Sequence, residues 1–119
     1  MFIGTDITEV NRIQNLVIQY DQRFIKKIFS NREIDYCKTK DNPFIHFSGT
    51  YSAKESVKKA LLSSGLLNTI SFINIEIFRK FDGAPYIKLH GDFKQTLSIS
   101  ISISHTREYA TSMAMVAFK

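Results

Sequence analysis

Apolar residues along this chain follow two periods, and the change from one to the other near Asn68 divides it into a helical part and a strand-forming part. In the first part Ile13, Leu16, Val17 and Tyr20 fall at three- and four-residue steps, which predicts a helix from about Thr8. Residues 22–29 continue in helical spacing with Arg23, Lys26 and Lys27 among the apolar positions. Joined end to end, the two segments would place Arg12, Gln19, Arg23 and Lys26 on one face, a basic stripe that by itself reads as a solvated surface. Ser30 and Glu33 have capping-box spacing ahead of a third short helix to about Lys38. Asp41-Asn42-Pro43 signals a turn and a helix start, so a long helix is expected over residues 44–63, ending near Gly65. Gly49, Ala53 and Ala60 within it are small enough for another element to pack closely.

Ahead of these helices, residues 2–7 read as a short strand with Asp6 at its junction with the first helix. Glu9 follows three residues later, so an N-cap role for Asp6 is the simplest reading. Beyond Asn68, residues 74–81 and 84–89 alternate around Asp82-Gly83, a strong hairpin signal. From Ser98 to Ser104 serine and isoleucine alternate without exception, giving an isoleucine face for a core and a face made only of hydroxyls. After a turn at 105–109, residues 110–118 read as a closing strand. The order predicts one α+β domain over residues 1–119, with a mostly antiparallel sheet packed on a long central helix.

The composition agrees with a folded domain: 44% of the 119 residues are hydrophobic, including 10 Phe and 5 Tyr, which excludes disorder. A single cysteine, Cys37, allows neither an internal disulfide nor a cysteine-rich zinc site and points to a reducing cytosol. No leader or membrane-length apolar run is visible, so a soluble, unexported, cytoplasmic protein without membrane contact is expected. The net charge of +5 favours an anionic partner: nucleic acid, a phosphorylated small molecule or an acidic protein.

Ser52-Ala53-Lys54-Glu55-Ser56-Val57-Lys58-Lys59-Ala60 sets one carboxylate among three ammonium groups on the long helix. Helical spacing puts Glu55 beside Lys59 and away from Ala53, Val57, Ala60 and Leu61, with Tyr51 one turn before it. A Glu and a Lys four residues apart are commonly just a surface pair. Set beside Asp6, however, Glu55 completes a pair of carboxylates suited to Mg²⁺ held with substrate phosphates, with Lys59 placed to stabilise a leaving group. No glycine-rich phosphate loop, serine elbow or His-Glu-x-x-His motif competes with this reading. His105, at a predicted strand end, does not by itself decide between a structural and a chemical role.

Taken together, Ile3-Gly4-Thr5-Asp6-Ile7 with Glu9 and Arg12-Ile13, Arg23-Phe24 with Ile28-Phe29, Ala53-Lys54-Glu55 with Lys59-Ala60, and Ser102 to Thr106 followed by Tyr109-Ala110 resemble the holo-acyl-carrier-protein synthases. These are the short branch of the 4′-phosphopantetheinyl transferases. The resemblance implies the 4′-phosphopantetheinyl transferase fold and transfer of 4′-phosphopantetheine from coenzyme A to a serine of acyl carrier protein, in support of fatty acid biosynthesis. It implies Mg²⁺, with Mn²⁺ as a substitute, on Asp6 and Glu55, catalytic roles for Glu55 and Lys59, and coenzyme A binding by Lys54, Lys58, Lys59, His105 and Thr106. It further implies an acidic carrier docked on Arg12, Arg23, Phe24 and Lys27, and a homotrimer with active sites between subunits, to which His105 contributes in a neighbour's site.

The chain departs from the pattern at Gly49-Thr50-Tyr51, where family members commonly carry arginine in place of Thr50. Lys58, Lys38 or Lys40 is expected to take over the missing phosphate contact. Two other readings compete with the enzyme: a basic nucleic-acid-binding module, and a carrier-binding family member without activity. The first calls for surface aromatics among the charges, whereas most phenylalanines here occupy core-like positions. The second sits poorly with the presence of Asp6, Glu55, Lys59 and His105 together.

Overall fold

The computed structural model describes residues 1–92 and 96–119. Strand β1 (Phe2–Glu9) is followed by helices α1 (Val10–Gln19), α2 (Gln22–Ile28), α3 (Asn31–Lys38) and α4 (Pro43–Ser63), then by strands β2 (Ile75–Arg79), β3 (Pro85–Leu89), β4 (Leu97–His105) and β5 (Tyr109–Phe118). The strands form two antiparallel sheets, one in the order β1-β5-β4 and one pairing β2 with β3. The expected α+β class and the long central helix are present, with the strands divided between a three-stranded and a two-stranded sheet.

Several expected boundaries move, each for a reason in the backbone. β1 runs two residues past Ile7 because Thr8 and Glu9 pair with Ala110 and Tyr109, and the Val10 N–H donates to Glu108 O at 2.8 Å. Ladder bonds to β5 therefore hold Asp6 inside a strand. The N-cap of α1 is Glu9, without a side-chain bond, so the capping role expected for Asp6 is not what this residue does. The two basic helical segments are separate helices: Tyr20 is extended, and Asp21 caps α2 by accepting from the Phe24 N–H at 2.9 Å. Ser30 and Glu33 do form the expected capping box.

α4 lies directly on the three-stranded sheet, and small residues along it permit the approach. A Cβ on Gly49 would sit 3.2 Å from Ile103 of β4, and Ser52 Oγ lies 2.9 Å from Ser112 Oγ of β5. Further along, Ser56 and Ala60 press on Gly4 of β1, where a Cβ would fall 1.9 Å from Ser56 O. The helix thus crosses β4, β5 and β1 in turn, with its carboxyl half over β1. One core, including Ile13, Ile25, Phe29, Ile34 and Phe47, lies among the helices; the other, including Val57, Leu61, Ile75, Ala114 and Val116, joins α4 to the sheets. The β4 isoleucines are half-buried on the helix side, and the serines face outward.

Because Gly4 meets backbone atoms that cannot move aside, replacing it with alanine pushes β1 off α4. The expected cost is about 3 kcal/mol, the upper end for overpacking, read as a lower urea midpoint at unchanged m. A loss under 0.5 kcal/mol would contradict this packing.

Candidate active site

Asp6 projects from the α4-facing side of β1, the side shared by Gly4 and by the partners of both residues on β5, Ala114 and Ser112. Its Oδ2 accepts from Thr8 Oγ1 at 2.6 Å, which fixes the carboxylate. From α4, Lys59 Nζ donates to Thr5 O at 3.0 Å and lies 3.5 Å from Asp6 Oδ1. One turn earlier Glu55 accepts from the Tyr51 hydroxyl at 3.2 Å. Burial pushes the Tyr51 phenol above its usual pKa, and the negative charges of Glu55 and Asp6 add to that while Arg12 opposes it. The Arg12 guanidinium carbon stands 5.9 Å from the Tyr51 ring centre. One phenol therefore feels two carboxylates and a guanidinium, with Lys59 bridging the strand and the helix.

This arrangement contains the chemistry needed to hold a phosphate ester. Two carboxylates are a donor set that Mg²⁺ accepts when waters and phosphate oxygens complete its shell, so Asp6 and Glu55 fit that ion. Among the described residues no third carboxylate, histidine or cysteine joins them. Lys59 keeps about half of its side chain in solvent, where its ammonium can meet an incoming anion. Tyr51 is the residue that sequence reasoning left as a mere neighbour of Glu55; its four-residue offset on the helix was the available signal.

Lys54 does not belong to this site. Its side chain is fully buried on the other flank of α4, where the ammonium pairs with Glu33 Oε1 at 2.8 Å and donates to Phe72 O at 3.0 Å and Ile75 O at 2.7 Å. Burial lowers its pKa, and Glu33 offsets part of that effect. Coenzyme A cannot reach a group so enclosed, which corrects the expected ligand role. Lys58 stands 4.8 Å above the Phe72 ring, half-buried.

His105 closes β4, and Thr106 opens the β4–β5 turn, its hydroxyl oxygen accepting from the N–H groups of Glu108 and Tyr109. β5 separates β4 from β1, so His105 lies two strand spacings, roughly 10 Å, from β1. It faces the amino half of α4, with its ring 5.7 Å from that of His46. Within one chain, then, His105 and Thr106 are not brought to Asp6 and Glu55.

On the helical flank, Arg23, Phe24 and Lys27 are exposed on α2, while Ile25 and Ile28 anchor it. Phe24 stacks on Tyr20 with ring centres 4.4 Å apart. Arg12 is exposed on α1, close to the Asp6 and Glu55 site.

In this chain a strand carrying an aspartate packs across a long helix that carries glutamate and lysine, and comparison with known proteins places the chain in a family. Residues 2–114 match the model of the 4'-phosphopantetheinyl transferase superfamily, and the chain belongs to that superfamily. Its relatives within it are holo-[acyl-carrier-protein] synthases. The synthase of Protochlamydia amoebophila is 38% identical over 95% of this chain and 94% of its own length. The Helicobacter pylori synthase, solved in complex with coenzyme A, is 30% identical, with a TM-score of 0.77 over 97% of this chain and 99% of that one. The Bacillus anthracis synthase, solved in complex with CoA (3',5'-ADP), is 26% identical, with a TM-score of 0.77 over 98% and 95%. Family membership makes the chain an enzyme of the transferase class.

Proposed function

We propose that this protein transfers 4′-phosphopantetheine from coenzyme A to a serine hydroxyl of an acyl carrier protein, supporting fatty acid synthesis in the cytoplasm. The observation that carries this reading is the meeting of Asp6, Glu55 and Lys59 across β1 and α4 in a chain related to holo-[acyl-carrier-protein] synthases over almost its whole length. In the reaction the serine oxygen bonds to the phosphorus next to pantetheine, and the bond from that phosphorus to the bridging oxygen breaks. Adenosine 3′,5′-bisphosphate leaves.

Asp6 and Glu55 are the residues that would hold Mg²⁺, which would supply charge neutralisation for the phosphate groups. Lys59 is positioned to give a proton to the departing phosphate oxygen. Tyr51 and Thr8 orient the two carboxylates through their hydrogen bonds. The exposed Arg12, Arg23, Phe24 and Lys27 surface favours an acidic carrier, whose approach its charge accelerates.

The outer face of the three-stranded sheet supports assembly into a trimer. Ile3, Ile7 and Met113 are 56%, 66% and 45% exposed beside the β4 serines, an apolar strip that a second copy can cover. With Asp6 and His105 on different flanks of α4, sites shared between subunits would reunite them.

The test is to incubate the protein with apo-acyl carrier protein, coenzyme A and Mg²⁺ and to weigh the carrier. A gain of one phosphopantetheine is expected; no gain with several carriers and metals would reject the enzyme reading.

A further inference from the structure

Both carboxylate oxygens of Asp6 have a partner within the chain. Oδ2 accepts from Thr8 Oγ1 at 2.6 Å, and Oδ1 lies 3.5 Å from the ammonium of Lys59. That ammonium has its closer anchor in Thr5 O, at 3.0 Å on the same strand. The Asp6 side chain is only 11% exposed, against 53% for that of Lys59. One turn earlier on α4, Glu55 accepts from the Tyr51 hydroxyl. Burial first, and the charge of Glu55 second, keep that phenol protonated and therefore a donor.

The charges of the site thus balance inside the protein. Two carboxylates, Asp6 and Glu55, are matched by two cations, Lys59 and Arg12, the latter held 5.9 Å from the Tyr51 ring centre. A divalent ion arriving alone would add two positive charges, and among the described residues no third Asp, Glu, His or Cys joins the cluster to offset them. It would also meet Lys59 at Oδ1, the one Asp6 oxygen that Thr8 does not hold. Two cations on one mostly buried oxygen repel each other with little screening by water or salt. A pyrophosphate diester carries two negative charges. Bound together with the ion, it restores the balance and offers Lys59 a charge-assisted hydrogen bond in exchange for Asp6.

We infer that Lys59 is a built-in rival of the metal for Asp6, so that the site takes Mg²⁺ together with the pyrophosphate of its substrate and resists the free ion. The identity of the substrate rests on the transferase reading above; the rivalry rests on the contact between Lys59 and Asp6. Lys59 lowers affinity for a divalent ion alone and raises affinity for the phosphate groups. Its anchor on Thr5 O and its half-exposed side chain let the ammonium turn from Oδ1 toward a phosphate without leaving the site. Metal and substrate are thereby coupled, each raising the other's affinity by the same factor.

The experiment titrates Mn²⁺ into wild type, K59M and K59R, with and without saturating coenzyme A. Bound ion is read from loss of the free Mn²⁺ paramagnetic resonance signal, after subtraction of a blank of coenzyme A without protein. For Mn²⁺ alone, K59M is expected to bind roughly tenfold more tightly than wild type, toward the lower end for removing a unit charge about 4 Å away. K59R keeps the charge and should stay within about threefold of wild type. Coenzyme A is expected to tighten Mn²⁺ on the order of 30-fold in wild type and several-fold less in K59M. Unchanged or weaker binding of Mn²⁺ alone by K59M would overturn the inference, as would equal coupling in K59M and wild type. The double variant K59M/D6N should lose the gain; a gain that persists there places the ion elsewhere and also overturns it. Should K59M melt far below wild type, K59Q takes its place in the same titrations. Failure of the transferase reading looks different: coenzyme A would then bind to no variant, while the titrations with Mn²⁺ alone would still decide whether Lys59 competes for Asp6.

Discussion

Replacing Glu55 with glutamine is expected to lower carrier modification by on the order of 10³-fold, the scale of losing one preorganised electrostatic contact to developing charge. Glutamine keeps the shape and can still accept from the Tyr51 hydroxyl, so the protein should fold and retain its melting temperature. What it loses is the negative charge opposite Asp6. Asp6→Asn is expected to behave alike, because the Thr8 hydroxyl can still donate to an amide oxygen. If the pair holds Mg²⁺, raising the Mg²⁺ concentration should recover part of the activity of Glu55→Asp and shift its midpoint for metal upward. Tyr51→Phe, which removes only an orienting bond, should cost far less, about tenfold. Activity of Glu55→Gln within threefold of wild type would remove Glu55 from the reaction and leave it as an ordinary surface partner of the helix.

Glu55 could be placed from the sequence because it sits in a strongly patterned helix. The isoleucine and serine alternation placed β4, Asp82-Gly83 placed the hairpin, and Pro43 with the apolar spacing placed α4 to within a residue or two. Asp6 was harder, since its role depended on where β1 ends. That end is set by pairing with Tyr109 and Ala110, about a hundred positions away, whereas local spacing favoured a cap.

Lys54 shows a different failure, and it supplies a sharp stability test. In the sequence it stands among lysines, next to Glu55, and reads as part of a phosphate site. Its helical offsets said otherwise: Lys54, Val57 and Leu61 form one stripe, and all three are fully buried. Its partner Glu33 had been assigned to a capping box, but the Oε1 that accepts the Ser30 N–H also pairs with Lys54, and Oε2 accepts from the Ile77 N–H. The ammonium satisfies its three donors on Glu33, Phe72 and Ile75, so a single ion ties together α3, α4 and the start of β2.

Lys54→Met is therefore expected to destabilise the protein by about 3–5 kcal/mol, because it leaves a buried carboxylate without its counter-ion and two carbonyls without donors. Glu33→Gln should cost less, since its amide oxygen can still accept a backbone N–H while Lys54 keeps its two carbonyls. Neutralising both ends removes the stranded charge, so the double variant should be less destabilised than the sum of the singles, by roughly 2 kcal/mol in a double-mutant cycle. Urea unfolding of the four proteins measures this coupling. The enzyme assay then separates structure from ligand binding. At a temperature where Lys54→Met is still folded, its KM for coenzyme A should match wild type, since no ligand reaches residue 54; a tenfold rise in KM with unaltered stability would restore Lys54 to the coenzyme A site.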